Sequence, residues 1–330
     1  MDTSKLRIIE KIDCETSKDY GIEPEKRSIE EHINLGIINL DKFPNPTSHL
    51  ISDFVKKVLN VNKAGHSGTL DPKVTGVLPI AVNKATKILQ SLLVSGKEYV
   101  CLMHIHREME KKEVERILMS FLGEITQLPP VRSSIKRVER QRNIYYITIL
   151  DFKDKDILFK VGCQAGTYIR KLCHDFGVKT GFGAHMQELR RTRVACLDET
   201  KNLVNLHELS EAKYIFDTQK NEKYLRYCIQ PIENAAEHLK KMWILDSAVA
   251  SVAYGAKLKV PGVARFHEGI KKGEMIGIMS LKNELVALGT AEMDSEEIKK
   301  RNSGIAASLK RVVMEKDVYP RMWETKTKSE

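Results

Sequence analysis

The sequence predicts an α+β fold in which helices and strands alternate first and a smaller all-β module follows. Before residue 238, segments whose apolar residues have helical spacing, such as 48–59, alternate with short apolar runs typical of strands, such as 36–42. After Pro231, short apolar runs are separated by turn pairs such as Pro261-Gly262 and Lys272-Gly273, a pattern typical of a small β-barrel. A chain of 330 residues is long enough for two domains and a sizeable core.

The elements of the first domain follow from the spacing of apolar residues and from the positions of glycine and proline. In chain order we expect a strand at 36–42, a helix capped by Thr47 or Ser48 and apolar through Leu59, a strand at 77–82, a helix over 85–93 stopped by Gly96, a strand at 97–106, a helix at 110–122, strands at 143–152 and 156–163, and a helix opened by Gly166-Thr167 and closed by Gly177.

These elements divide the chain into four parts. Residues 1–30 mix charges of both signs with few large apolar side chains and are expected to form an N-terminal extension. Residues 31–237 form the α+β domain, residues 238–316 the all-β module, and residues 317–330 a polar tail. We see no internal repeats.

The charge of the chain favours a polyanionic partner. The formal net charge is +10 and the pI is about 9.1. Lys240 and the residues after it contain 17 basic and 12 acidic side chains, and the residues before it have the same basic excess. Because both parts of the chain are basic, nucleic acid is the first candidate, touching both.

The compartment is expected to be intracellular, because the N-terminus has no apolar segment of the signal-peptide type. No apolar run approaches the length of a membrane span. The six cysteines form no CxxC pair, which gives no indication of a zinc or redox motif and is compatible with reduced thiols.

The stretch from Gly65 to Gly76 is the first candidate for a functional site. It contains three glycines and Pro72 between apolar helical patterns. Pro72 biases Asp71 toward an extended conformation, so the carboxylate is held on a stiff, non-helical segment with His66 and Thr69 as polar neighbours. Residue types alone favour a simpler interpretation, a surface turn with a solvated aspartate.

A second candidate is a metal site near residue 105. His104 and His106 alternate on a predicted strand and share a face, and Glu108 and Glu110 follow them. This spacing is compatible with a metal-dependent hydrolase. No third and fourth ligand is evident nearby in the sequence, and paired histidines on a strand are commonly polar surface.

Three stretches in this order resemble the TruB-type pseudouridine synthases, with the greatest likeness to their archaeal and eukaryotic guide-RNA-dependent, dyskerin-like branch. They are Gly65-His66-Ser67-Gly68-Thr69-Leu70-Asp71-Pro72, Lys97-Glu98-Tyr99, and Gly166-Thr167-Tyr168-Ile169-Arg170 together with Leu189-Arg190-Arg191. Residues 244–298 resemble a PUA domain, an RNA-binding β-barrel. The sequence departs from the family at 43–49, where the family usually has a Gly-Pro-Thr-Ser run.

The resemblance implies a role for each matching residue. Asp71 matches the essential aspartate, an ionised nucleophile that attacks either the uracil ring or the ribose C1′ while the base detaches, rotates and rejoins through C5. Arg170 matches its arginine partner. Tyr99 matches a tyrosine that stacks on the target ring and assists removal of the C5 proton, and Leu189 matches an apolar residue of the pocket.

Further residues are expected to bind the RNA. The target base must leave its stack, and stacking on an aromatic ring offsets part of that cost. His66 and Tyr99 are the candidates for this stacking. The basic loop 129–142 resembles the thumb loop of the family and is expected to contact phosphates. The residues expected to make these contacts are Arg132, Lys136, Arg137 and Arg140. Arg142 is a further basic residue of the same loop.

The resemblance also implies partners. They are RNA, either transfer RNA or ribosomal RNA selected by an H/ACA guide RNA, and three proteins: a small zinc-containing protein, a glycine–arginine-rich-type protein and a kink-turn-binding ribosomal-type protein. Residues 1–30 resemble an arm that lies against the PUA barrel. No cofactor or metal is expected, and the absence of a long lysine-rich tail favours an archaeal cytoplasm over a nucleolus. A non-catalytic RNA scaffold remains the alternative function.

Overall fold

The computed structural model describes Thr3, residues 5–129 and residues 137–322. Its helices are α1 (Ile29–Asn34), α2 (Ser48–Leu59), α3 (Leu89–Val94), α4 (Lys111–Met119), α5 (Ile169–Thr180), α6 (Leu206–Gln219), α7 (Lys223–Cys228), α8 (Asp246–Ala253) and α9 (Ser295–Lys300). Short 3-10 helices cover Pro24–Lys26, Asn83–Ile88, Ile232–Ala236 and Val260–Gly262.

The strands follow the chain in two groups. Those up to Pro231 are β1 (Ile8–Glu10), β2 (Gly36–Lys42), β3 (Ala64–His66), β4 (Thr75–Val82), β5 (Lys97–Ile105), β6 (Gly123–Gln127), β7 (Arg140–Lys153), β8 (Asp156–Cys163), β9 (Ala184–Val194), β10 (Leu197–Asp198), β11 (Leu203–Val204) and β12 (Gln230–Pro231). Those after it are β13 (Lys240–Ile244), β14 (Leu258–Lys259), β15 (Val263–His267), β16 (Met275–Met279), β17 (Leu285–Ala291) and β18 (Ile305–Val312).

One mixed sheet organises the first part of the chain. Its main path runs β11-β2-β4-β9-β5-β8-β7-β6, with β3 on β4, β10 on β9 and β12 on β2. The long antiparallel ladders β5–β9, β5–β8 and β7–β8 form one half of the sheet. A short parallel pairing of β4 with β9 joins the halves through Thr75–Arg190 and Gly76–Arg191. The predicted α+β class is confirmed.

Local sequence signals explain where the helices α1 and α2 begin. Ser28 and Glu31 form a reciprocal capping box at α1. The Thr47 hydroxyl accepts a hydrogen bond from the amide of Leu50 and caps α2. Helix α2 buries Ile51 and Val55 against the sheet, and each such side chain contributes about 1.5–3 kcal/mol when fully removed from water.

The prediction that Gly177 closes a helix is wrong. Helix α5 continues to Thr180 and ends at Gly181, whose φ of 75° is the left-handed conformation typical of a helix end. Gly177 instead lets the chain return closely over the helix, since a Cβ atom there would lie 2.1 Å from the amide nitrogen of Ala184. The amide of Gly183 donates to the Gly177 carbonyl at 3.0 Å. The glycine serves packing and does not stop the helix.

A second, seven-stranded sheet contains the strands after Lys240, in the order β1-β15-β13-β16-β17-β18-β14. Strand β1 comes from the N-terminus and pairs antiparallel with β15 through Ile8–His267, Ile9–Phe266 and Glu10–Arg265. Helix α8 packs on the core of this sheet through Val249 and Val252. Residues near the N-terminus therefore complete the edge of a sheet built from the C-terminal part of the chain.

The two sheets share one of the hydrophobic clusters. Ile37 and Val77 of the first sheet belong to the same buried cluster as Trp243, Leu285 and Leu288 of the second. An apolar contact thus runs between the two parts of the chain. Within the described residues, no helix has the length and apolar character required to cross a bilayer.

Candidate active site

Asp71 lies in the connection between β3 and β4. The neighbouring side chains of Leu70 and Val74 are only 4% and 3% exposed and anchor the turn in the core. Between them, Asp71 and Pro72 are exposed. Gly68 has a φ of 124°, which side chains other than hydrogen resist. The turn therefore presents the carboxylate to solvent from a segment fixed on both sides.

Two buried polar side chains hold this turn from beneath. The Lys42 ammonium donates to the carbonyls of Pro72 and Val74, both at 2.9 Å. The Ser48 hydroxyl accepts from the amide of Leu70 at 2.8 Å. Both Lys42 and Ser48 are fully buried, and burial lowers the pKa of the Lys42 ammonium. The carbonyls of Pro72 and Val74, at the end of the turn, thus each accept a hydrogen bond from a buried ammonium.

Asn45 occupies the position where the sequence departs from the usual Gly-Pro-Thr-Ser run. Its φ of 91° is in the left-handed half of the map, where asparagine is tolerated better than most side chains. The backbone amide of Asn45 donates to the Pro72 carbonyl at 2.8 Å. This loop therefore contacts the Asp71 turn directly.

Arg170 lies in the first turn of α5 and reaches the aspartate. Its Nη2 donates to Oδ2 of Asp71 at 2.8 Å, although the two residues are 99 positions apart. The start of α5 is itself fixed by the buried amide of Gln127, which donates to the Tyr168 carbonyl at 3.1 Å and accepts from the Tyr168 amide at 2.9 Å. Because Gln127 ends β6, the sheet positions the helix that carries Arg170.

Tyr99 lies on β5, opposite Arg191 of β9. It is half-buried and packs, together with Leu189, against the cluster formed by β5, β7, β8 and α5. Burial raises the pKa of the Tyr99 hydroxyl, and the guanidinium of Arg191 opposes that rise. The nearby Asp71 carboxylate also raises the pKa of this hydroxyl. The three predicted catalytic residues are therefore brought together.

Gly76 makes this juxtaposition possible. It pairs with Arg191 where β4 and β9 run parallel, and its φ is 99°. A Cβ atom at this position would lie 2.2 Å from the carbonyl oxygen of Arg191. Only glycine lets the strand that follows the Asp71 turn approach β9 so closely.

His66 precedes the turn and contacts a second histidine. The rings of His66 and His49 lie 4.8 Å apart in an edge-on arrangement. Burial lowers the pKa of His66 to about 4, so the imidazole is neutral at pH 7. Its Nδ1 accepts from the amide of Gly68 at 3.3 Å. Thr69 is exposed between Gly68 and Leu70.

The predicted basic loop is described only in part. Arg132 and Lys136 lie outside the described residues. Arg137 is exposed, and Arg140 begins β7, where it pairs with Gln127 of β6. The base of the loop is therefore adjacent to the residue that holds the start of α5.

His104 in β5 and His106, just after that strand, lie close to a third histidine, His185 of β9. The Nε2 atom of His106 lies 3.0 Å from Nδ1 of His185, and Nδ1 of His104 lies 2.7 Å from a carboxylate oxygen of Asp156. A search of the described residues for three or more His, Cys, Asp or Glu side chains able to hold a metal ion finds no such group. The arrangement gives no support to the metal-dependent hydrolase, with its candidate ligands Glu108 and Glu110.

Sequence reasoning missed three residues that shape the site: Lys42, Ser48 and Arg191. Each is buried and polar, a combination that the sequence does not reveal. The available signal was proximity, because Lys42 precedes the departing run 43–49, Ser48 lies within it, and Arg191 follows Leu189. Arg191 belongs to a stretch that resembles the family, but the resemblance gives it no role of its own.

Comparisons with known sequence families cover most of the chain. The N-terminal domain of TruB family pseudouridylate synthases matches residues 56–169, and the C-terminal domain of tRNA pseudouridylate synthase B matches residues 170–237. A PUA domain matches residues 240–313, and the DKCLD domain matches residues 3–52.

Similar proteins agree with these matches. A probable tRNA pseudouridine synthase B of Pyrococcus furiosus is 50% identical over 99% of this chain and 96% of its own length. One of Thermococcus kodakarensis is 50% identical over 98% of this chain and 96% of its own length.

Solved structures of complexes contain similar chains. A chain in a Cbf5–Nop10–Gar1 complex is 51% identical, with a TM-score of 0.92 and 96% of both chains covered. A chain in an H/ACA ribonucleoprotein bound to a substrate RNA containing 2′-deoxyuridine is 49% identical, with a TM-score of 0.91, covering 98% of this chain and 99% of that one.

The fold and the matches define the class: a pseudouridine synthase domain followed by a PUA domain. More particularly, the chain belongs to the TruB family of pseudouridine synthases, in its archaeal dyskerin-like branch. The resemblance inferred from the three sequence stretches is thereby confirmed.

Proposed function

We propose that this enzyme isomerises uridine to pseudouridine in structured RNA with Asp71 as the nucleophile. The observation that carries the proposal is the 2.8 Å contact between the exposed Asp71 carboxylate and the Arg170 guanidinium, on a turn held rigidly by Lys42 and Ser48. The guanidinium orients the carboxylate that acts as the nucleophile. Tyr99 takes the C5 proton, and Leu189 lines the pocket for the base.

The same proposal assigns RNA binding to surfaces on both sides of the nucleophile. His66 stacks on or beside the extruded base, with Thr69 as its polar neighbour. Arg132, Lys136, Arg137 and Arg140 contact phosphates. The net charge of +10 supports a polyanionic substrate. Residues 31–237 act as the catalytic domain, and residues 238–316, with the extension 1–30 against them, grip the RNA.

We further propose that the targets are selected by a guide RNA within an H/ACA particle. Support comes from the similar chains in complexes with Nop10, Gar1 and a substrate RNA. Partners of the zinc-containing, glycine–arginine-rich and kink-turn-binding types would complete the particle. The archaeal relatives support a cytoplasmic location.

One experiment separates the guided from the unguided mode of action. An unmodified transfer RNA transcript and a ribosomal RNA fragment are each incubated with the enzyme, alone and with an H/ACA guide RNA and the three proteins. Chemical mapping then locates the pseudouridines. Conversion that depends on the guide sequence supports the guided mode, whereas conversion of transfer RNA by the enzyme alone supports independent action.

Asp71→Asn tests the nucleophile itself. We expect no detectable pseudouridine, because an amide cannot replace an ionised carboxylate as nucleophile, while RNA affinity stays within about threefold because most contacts are to phosphates. Asp53→Asn, at an exposed carboxylate on the adjacent α2, is the matched control and should retain full activity. Equal product from Asp71→Asn and the wild type would contradict the assignment of Asp71 as the nucleophile, whereas no product from the wild type with guide RNA and all three proteins would favour a non-catalytic RNA scaffold.

A further inference from the structure

Arg191 is the least expected residue of the site, because it is a guanidinium with almost no exposed surface. Its accessible fraction is 1%. Its Nε donates to the Val77 carbonyl on β4 at 2.8 Å, and its Nη2 donates to the Gly68 carbonyl at 3.2 Å. Across the β5–β9 ladder it lies opposite Tyr99, and its positive charge acts on the hydroxyl of that residue. One side chain therefore joins the Asp71 turn, the strand after it and the tyrosine.

Such a group is costly to keep in a protein interior. A buried charge is normally compensated by a carboxylate that forms an ion pair with it. Among the described residues, the partners found for Arg191 are two backbone carbonyls and a phenol, and none is a carboxylate. Its neighbour Arg190 is the opposite case, because it is partly exposed and pairs bidentately with Asp41 at 2.9 and 3.0 Å. Folding alone would be served better by an apolar side chain at 191.

The chemistry of the contact gives the charge a use. A guanidinium carries hydrogen-bond donors and no acceptor, so Arg191 faces Tyr99 with cationic N–H groups and cannot take the phenol proton itself. Any negative charge on that oxygen then faces a fixed cation in a site of low dielectric. The direction of the pKa effects agrees, since Arg191 works against the rise in the pKa of Tyr99 that burial causes.

We propose that Arg191 is a positioning residue for the isomerisation, which fixes Tyr99 relative to the Asp71 turn and stabilises the phenolate that accepts the C5 proton. In that step the C5–H bond breaks and the proton moves to the phenolate oxygen. The electron pair of that bond forms the C5–C6 double bond of the uracil while one bond at C6 gives way. After attack on the ring, the Asp71 carboxylate leaves C6 with its electron pair; after attack on C1′, the C6–N1 π pair moves to N1, which takes up a proton. The inference rests on the role proposed above for Tyr99. It adds the group that makes Tyr99 a usable base.

The test compares single-turnover rates on an RNA that the wild type converts, as a function of pH. Arg191→Met removes the charge and keeps the length of the side chain. We expect it to be slower by about tenfold or more at pH 7 and to regain rate at higher pH, where the phenol ionises without help. The rate of Arg191→Lys at pH 7 should lie between those of the wild type and Arg191→Met. Arg193→Met, on the same strand and partly exposed, is the control and should be unchanged.

A double-mutant cycle distinguishes this role from general loss of structure. If Arg191 acts through Tyr99, the double variant Tyr99→Phe/Arg191→Met should be no slower than Tyr99→Phe alone. Neither of these two variants should keep the pH dependence of the wild-type rate. Additive losses, or a slower Arg191→Met enzyme with an unshifted pH profile, would overturn the proposal.

A spectroscopic measurement makes the test independent of turnover. With tyrosine labelled by carbon-13 at the ζ position, the Tyr99 signal should titrate at higher pH in Arg191→Met than in the wild type. Should Arg191→Met not fold, the ε-nitrogen resonance of Arg191 in the wild type should still move in Tyr99→Phe, and an unmoved resonance would refute the contact. If the wild type converts no uridine, the proposed function fails while these signals still report on Arg191.

Discussion

The ion pair between Asp71 and Arg170 lies at the surface, and this decides what it can do. The two side chains remain 61% and 54% exposed. Water screens such pairs, so their contribution to folding is commonly below about 1 kcal/mol. The pair is therefore better explained by the demands of the reaction than by those of stability.

Substitution of Arg170 by Met should separate the two effects. We expect the free energy of unfolding to change by less than about 0.5 kcal/mol, because the pair is exposed. The rate of pseudouridine formation should fall by about tenfold or more, because the nucleophile loses the cation that orients it. Chemical unfolding and single-turnover assays measure the two quantities.

The control for this substitution is Lys179→Met, at an exposed cation near the other end of α5. It should leave both the stability and the rate close to those of the wild type. A rate for Arg170→Met equal to that of Lys179→Met would show that the guanidinium is not needed by the nucleophile.

At the same scale, the sequence could predict Asp71 but not the residues behind it. The glycines and Pro72 indicate a rigid turn, and the likeness to a known family supplied Arg170, Tyr99 and Leu189 as partners. Nothing in the local sequence reports that Arg191 is buried, because that follows from the parallel pairing of β4 with β9. Long-range pairing of strands is a tertiary property that periodicity does not encode.

Helix α2 shows how an element supports the site. Its first residue, Ser48, is fully buried, and its hydroxyl accepts from the amide of Leu70, next to Asp71. Ser52, one turn later, is also buried, but its hydroxyl donates to the carbonyl of Ser48 within the same helix. The two serines are therefore buried in the same helix but differ in their partners. Ser48 binds the turn that carries Asp71, whereas Ser52 binds its own helix.

Ser48→Ala should therefore destabilise the protein by about 1–3 kcal/mol, because it leaves the Leu70 amide buried without a partner. The rate of isomerisation should fall as well, since the Asp71 turn loses a support. Ser52→Ala should cost less than about 1 kcal/mol, because a hydroxyl bonded back to its own helix stabilises little. Thermal unfolding and single-turnover rates check both variants, and equal effects would contradict the proposed support.

Elements whose signals are local were predictable. The strands 36–42 and 156–163 have the predicted bounds, because each is a short apolar run between turn residues. The predicted helix over 85–93 proves to be a 3-10 helix over Asn83–Ile88 followed by α3. Strand β9, by contrast, is not predicted from the sequence, since its charged residues hide the alternation.

At the scale of the molecule, the N-terminus was the part least accessible to sequence reasoning. Strand β1 is only three residues long and pairs with a strand more than 250 positions away. Its few apolar residues gave no strand signal of their own. Only the likeness to a family with an arm against the PUA barrel indicated where such a segment lies.

One buried ion pair connects three distant parts of the chain. Arg27, in the N-terminal extension, donates to both carboxylate oxygens of Glu233 at 2.8 and 2.9 Å. Glu233 lies in the 3-10 helix before the PUA domain and also accepts from the amide of Leu285 on β17 at 2.9 Å. Arg27 and Glu233 are 5% and 8% exposed, so water does not screen the pair. The contact with Glu233 raises the pKa of Arg27 against the effect of burial.

Glu233→Gln tests whether this pair stabilises the whole molecule. It keeps the shape of the side chain but leaves Arg27 as an uncompensated buried cation, which should lower the free energy of unfolding by about 3–5 kcal/mol. Asp217→Asn removes an exposed carboxylate that pairs with Lys213 one turn away in α6, and should cost less than about 1 kcal/mol. Urea unfolding followed by far-ultraviolet circular dichroism measures both. Similar small losses in the two variants would mean that the apolar cluster shared by Val77 and Trp243 holds the domains together without the ion pair.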